Sequence, residues 1–136
     1  MNQLTVYIAF DYDDIGVKQS LIAESKRPDC PWNFVDNSIN RDIPRRWTAV
    51  AERLIKASDC VIVLCGEQTH QADGVATEMQ LAQKHGKRYF LLSGTRTGTP
   101  TPPRHARAND KIWTYRWPTV KTLLEGETPP PNAAVG

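Results

Sequence analysis

Short apolar runs alternate with amphipathic segments along almost the whole chain. Leu4-Thr-Val-Tyr-Ile-Ala-Phe10 predicts a first strand, followed by Asp11-Tyr12-Asp13-Asp14, where Asp13 or Asp14 can cap a helix. Val17, Leu21 and Ile22 give that helix an apolar face, and Pro28 ends it. Residues 32–35 read as a short second strand, and the polar residues 36–44 as a loop. Trp47, Val50, Ala51, Leu54 and Ile55 mark a second amphipathic helix. Residues 59–65 form a near-continuous apolar run, the pattern of a strand covered on both faces. A loop over 67–73 leads into a third helix over 75–85, closed by Gly86. Residues 88–92 predict a fourth strand and 112–115 a fifth, separated by a long irregular loop over 94–110. Pro118 opens a last short helix, and the Pro-rich residues 126–136 read as a disordered tail.

Strands alternating with helices imply a parallel sheet with right-handed crossovers and helices on both faces. The expected architecture is a three-layer α/β/α sandwich of flavodoxin-like type with a five-stranded parallel sheet. It forms one domain over residues 1–125, with 126–136 as the tail.

Glu78 breaks the pattern. Val75, Met79 and Ala82 are spaced i, i+4, i+7 and define one apolar helix face; Glu78 falls on the same face. A carboxylate there is costly to bury unless it is paired or used. It is either a functional acid or an acid bonded to a neighbouring backbone group or arginine. In an open α/β sheet, ligands bind outside the carboxyl ends of the strands. Phe10 to Asp14, Asp36 to Arg46, Gly66 to Gly74 and the long loop after Ser93 arrive there, and Glu78 points there too.

Composition narrows the partners. A chain of 136 residues suffices for one domain that buries roughly two-thirds of its unfolded surface. A net charge of +2 is too small to argue for nucleic acid or a membrane surface, and neither is expected as a partner. No apolar run approaches the ~20 residues of a membrane span, and the first residues lack the features of a signal peptide. The expectation is a soluble, cytoplasmic protein. Cys30, Cys60 and Cys65 lack metal-ligand spacing and read as packed thiols; no metal site is expected.

Three familiar readings of such a fold fail on residues. A flavodoxin needs a phosphate-cradling loop after the first strand, and Asp11-Tyr12-Asp13-Asp14 would repel phosphate. A phosphorylatable receiver needs an aspartate at the end of the third strand, where Leu64-Cys65-Gly66-Glu67 stands. The eight glycines are scattered and form no dinucleotide fingerprint.

The landmarks Val6-Tyr-Ile-Ala-Phe-Asp-Tyr-Asp-Asp14, Asp36-Asn-Ser38, Ile55 to Gly66, Thr69 and Glu78 to Ala82 resemble, in order and spacing, the TIR-like family. That family was first noted as an archaeal flavodoxin-like domain, and it includes the signal-producing TIR-like proteins of Thoeris anti-phage defence. The resemblance spans residues 4–125 and implies NAD⁺ cleavage with release of nicotinamide. It implies that Glu78 is the essential acid, that Phe10 lines the pocket, and that Asp11, Asp36, Ser38 and Thr69 border it. NAD⁺ is then substrate rather than cofactor, and no cofactor is needed. The resemblance further implies an ADP-ribose or cyclic ADP-ribose signal, a separate effector that senses it, a phage-derived trigger and self-assembly into a homo-oligomer. In one respect the chain departs from the family: Gly74-Val75 stands where a Trp-Val pair is common.

Two rival readings share these residues. Gly74 to Ala82 is also similar to the nucleophile region of nucleoside deoxyribosyltransferases, which act at the same sugar carbon with a covalent glutamate. A non-catalytic TIR-like adaptor would keep the fold and work by self-association.

Overall fold

The computed structural model describes residues 4–35, 44–95 and 98–135. Its elements in chain order are β1 (Thr5–Ala9), α1 (Ile15–Ser25), β2 (Asn33–Phe34), α2 (Pro44–Lys56), β3 (Cys60–Cys65), α3 (Asp73–Lys84), β4 (Arg88–Ser93), β5 (Ile112–Trp113) and α4 (Trp117–Leu124). Short 3₁₀ turns precede α1 and α3. The strands form one sheet in the order β2-β1-β3-β4-β5, with every adjacent pair parallel. The predicted five-stranded parallel α/β architecture is therefore the observed one.

The two-residue side-chain period of the strands divides the interior into two cores. Along β3, Cys60, Ile62 and Leu64 face one core with Val6, Ile8, Leu21, Phe90 and Val120. Val61, Val63 and Cys65 face the other with Tyr7, Ala51, Ile55, Val75 and Met79. Helices α1 and α4 thus cover one face and α2 and α3 the other. All six residues of β3 are buried, as its unbroken apolar run requires.

Helix α3 ends in a Schellman arrangement. Gly86 takes φ +62°, the Lys87 amide donates to the Ala82 carbonyl (2.9 Å) and the Gly86 amide to that of Gln83 (3.2 Å). The helix starts two residues before the expected boundary, at Asp73, whose carboxylate favours the positive end of the helix dipole.

Two expectations need correction. Neither Asp13 nor Asp14 caps α1 through its side chain: Asp11 caps the preceding 3₁₀ turn, accepting from the Asp13 amide, and Asp14 is buried. The tail is not a disordered extension. The Thr114 amide donates to the Ala133 carbonyl (2.8 Å), the Val135 amide donates to that of Ile112 (2.7 Å), and Ala134 bridges Trp113 antiparallel. The tail lacks large apolar anchors, but backbone pairing to the exposed edge of β5 does not require them. Prolines already fix φ and lower the entropy lost on docking.

Candidate functional site

Glu78 lies in the second turn of α3, on its inward face between Val75 and Met79, and is 1% exposed. Its Oε2 accepts a hydrogen bond from the Tyr7 hydroxyl at 2.5 Å. Tyr7 sits in the middle of β1 and is itself buried. The pair joins residues 71 apart in sequence across the helix–sheet interface. Burying a carboxylate among Val75, Met79 and Ala51 is strongly unfavourable unless donors replace water. A hydrogen bond to a charged group recovers about 1.5–3 kcal/mol of that cost. The result is an acid held in one orientation on a rigid element, the arrangement needed to place negative charge beside a reacting centre.

Tyr7 escaped the sequence reading, which chose Phe10 as the aromatic of the site. The structure packs half-buried Phe10 against the core under α1 and α4, with the Lys18 ammonium 5.6 Å from its ring centre. Glu78 belongs to the opposite face. A signal for Tyr7 was present: in β1 it alternates onto the face of Ala9. A buried tyrosine needs an acceptor just as a buried glutamate needs a donor. Asp36 and Ser38 lie outside the described residues.

Asp11 and Thr69 come together at a different place. They line a cavity of about 350 Å³ beyond the carboxyl ends of β1, β3 and β4, with Asp13, Asp14, Glu67 and Thr95. This is the crevice between β1 and β3, where the strand order reverses. Thr69 is buried and its hydroxyl accepts from the Gly66 amide at 2.7 Å, so it shapes the turn after β3. Asp14 is only 8% exposed. Burial pushes its carboxyl up to about 6, with the neighbouring charges of Asp11 and Asp13 adding to the effect. Two glycines make room for it. A Cβ on Gly66 would stand 2.3 Å from the Asp14 Oδ1, and one on Gly94 3.2 Å.

The long loop after β4 closes over the amino end of α3. The Thr101 amide donates to the Gly66 carbonyl (2.9 Å), and Thr101 Oγ1 meets His70 Nδ1 at 2.9 Å. Arg104 pairs with Asp73, and Gln83 Nε2 donates to the His105 carbonyl at 2.7 Å. His105 adopts a positive φ of 76° at that contact. Among the described residues no three His, Cys, Asp or Glu side chains are grouped so as to hold a metal ion. No helix among them is long and apolar enough to cross a membrane.

Residues 7–93 match the family described as Thoeris protein ThsB, TIR-like domain. Among curated proteins none matches the chain. A solved structure with a similar fold is that of a prokaryotic SEFIR domain, with a TM-score of 0.57 and 14% identity. The alignment covers 91% of this chain and 95% of that one. At that identity the likeness concerns the fold.

Proposed function

The chain belongs to the Thoeris ThsB family of TIR-like domains, and from that premise we propose that it cleaves the nicotinamide–ribose bond of NAD⁺ to make an ADP-ribose-type signal in anti-phage defence. The single observation that carries this reading is the inward carboxylate of Glu78, fixed by Tyr7 in the second turn of α3.

The chemistry suits one oriented acid. The bond from C1′ to the pyridinium nitrogen breaks, and its electron pair stays with nicotinamide, which leaves neutral. The leaving group needs no proton. Positive charge develops on the ribose ring as in glycoside hydrolysis, and a nearby carboxylate stabilises it. Water adding at C1′ and losing a proton gives ADP-ribose. A nucleophile from the same molecule adding there instead gives a cyclic product. In this scheme Glu78 is the catalytic residue and Tyr7 a positioning residue. NAD⁺ is the substrate, with no further cofactor, and a separate effector senses the product. Glu78 is 1% exposed, so substrate reaches it only after an opening. That suits an enzyme held silent until a phage-derived trigger or self-assembly releases it.

The burial of Glu78 also favours a second reading, in which it is a structural acid of a non-catalytic TIR-like assembly domain. Nicotinamide release by wild type and Glu78→Gln, with and without extract from infected cells, separates the two. Gln keeps the size and can still accept from Tyr7. The enzyme reading expects release to vanish while the melting curve changes little. Release retained by the variant removes Glu78 from the mechanism. A wild type silent in every extract supports the assembly reading. Deoxynucleosides in place of NAD⁺ test the deoxyribosyltransferase alternative in the same assay.

A further inference from the structure

Among the described residues one buried side-chain polar atom has no hydrogen-bond partner, the indole nitrogen of Trp117. Trp117 opens α4 and packs its ring against those of Trp32 and Phe34, with centres 6.5 Å apart in both cases. Those contacts account for the burial of the ring and give nothing to its N–H. An unmet buried donor costs stability, and a ligand carrying an acceptor would remove that cost. Trp117 also lines a cavity of about 530 Å³, within the usual range for ligand pockets. The cavity lies beyond the carboxyl ends of β4 and β5, against a face of α1 that presents Ser20 and Glu24 one turn apart. Trp117 and Tyr115 pack on the core under α1 and α4, whereas Val75 and Met79, which flank Glu78, pack on the core across the sheet.

We propose that this cavity binds a neutral, hydroxyl-rich ring, a monosaccharide, with the Trp117 N–H and the Glu24 carboxylate as its principal partners. The two groups make opposite demands. The indole N–H can only donate, so the ligand must bring an acceptor; the carboxylate can only accept, so the ligand must bring a donor. A sugar hydroxyl does both. An ammonium group lacks the acceptor and meets the Arg116 cation, and a phosphate dianion lacks the donor and meets the Glu24 charge. Other lining groups are mixed in the same way. Thr95 Oγ1 accepts from the Gly98 amide (2.8 Å) and keeps its O–H to donate; the Ser20 hydroxyl donates to the Gly16 carbonyl (3.1 Å) and keeps lone pairs to accept. The Tyr115 hydroxyl donates to Glu24 Oε2 at 3.3 Å, which is long for an O–H donor, so the carboxylate has room for a closer one. Burial pushes the Tyr115 phenol up, with the Glu24 charge adding, and it stays a neutral donor. Trp117 and Tyr115 add apolar ring surface beside these polar groups, as the carbon side of a sugar ring requires. Because the indole nitrogen is buried, contact with it needs a shift of the wall, and exposed Arg116, adjacent in sequence, is the part that can move. The site does not depend on the NAD⁺ reading.

The test is a chemical-shift titration of the full chain with D-glucose, D-galactose, D-mannose, D-ribose and N-acetyl-D-glucosamine in turn, read at the assigned indole N–H of Trp117. Cyclohexanol, which keeps a ring and one hydroxyl, and inorganic phosphate run as parallel arms. The expected result is a saturable shift with at least one sugar and none with cyclohexanol or phosphate. That sugar should bind about tenfold or more weakly to Glu24→Ala, and about fivefold or more weakly to Trp117→Phe, read there at the Gly94 and Thr95 amides. No saturable shift with any of the sugars overturns the proposal. Equal shifts with cyclohexanol overturn the hydrogen-bonding argument, and saturation by phosphate alone overturns the neutral ligand. Undiminished binding in folded Trp117→Phe overturns the role of the indole N–H. Should that variant fail to fold, Glu24→Ala, changed at a half-buried position of α1, decides: undiminished sugar binding by it counts against the site.

Discussion

Replacing Tyr7 with Phe deletes one hydroxyl and nothing else, which makes it the sharpest probe of the buried pair. The ring stays in place against Val61 and Ala51 in the core under α2 and α3. Glu78 loses the donor now at 2.5 Å and keeps its other contacts. Hydrogen bonds to charged groups contribute about 1.5–3 kcal/mol, and the buried carboxylate has no water to replace the hydroxyl. At this chain length a loss of that size lowers the melting midpoint by roughly 5–9 °C. If Tyr7 positions Glu78, nicotinamide release should also slow by about 10–100-fold, in kcat rather than KM, because substrate never touches the hydroxyl. Calorimetry and a steady-state release assay read the two effects on one sample. An unchanged midpoint with unchanged turnover would refute the pairing in solution. A lower midpoint with full turnover per folded molecule would leave Tyr7 structural and deny it the positioning role.

Three further outcomes follow from other parts of the structure. Truncation after Glu125 should lower the melting midpoint by roughly 6 °C, since it removes two backbone bonds to β5 worth about 1 kcal/mol each; an unchanged midpoint would mean that the tail does not dock. Asp14 has a folded-state carboxyl raised from 3.8 to about 6, so the folded state holds its proton more tightly than the unfolded chain. The stability this contributes is present in acid and is lost as pH rises from about 4 through 6. Asp14→Asn should therefore melt higher than wild type at pH 7.5, with the gap closing near pH 4.5; a gap independent of pH would contradict the shift. Burial pushes the Cys60 thiol up to about 11 and the Cys65 thiol up to about 12, with Asp14 adding to the latter. Iodoacetamide at pH 8 should then modify only half-buried Cys30 in the native protein and all three cysteines in denaturant, as intact mass would show.

Much of the fold could be read along the chain because strands and helices leave local signatures. The alternation of Val6, Tyr7, Ile8 and Ala9, the unbroken run of β3 and the i, i+4, i+7 face of Val75, Met79 and Ala82 each follow from the repeat of the backbone itself. Such repeats set element type, and strands that alternate with helices allow few arrangements, so the parallel sheet followed. Glu78 was visible for the same reason, as a charge in the wrong phase of a helix. What it touches was not. Tyr7 is 71 residues away, and only the packing of α3 on β1 brings hydroxyl and carboxylate together. Asp14 shows the same limit. As sequence it is one of three acids before a helix. The close approach of Gly66 and Gly94, which follow β3 and β4, helps take it out of water and raises its proton affinity. The docking of the tail is not legible in the sequence because backbone groups and small residues, Ala133 and Ala134 among them, make its contacts, and these leave no apolar pattern. Periodicity along a chain records which side of an element faces inward; which groups meet there depends on contacts between distant segments, and no local pattern encodes them.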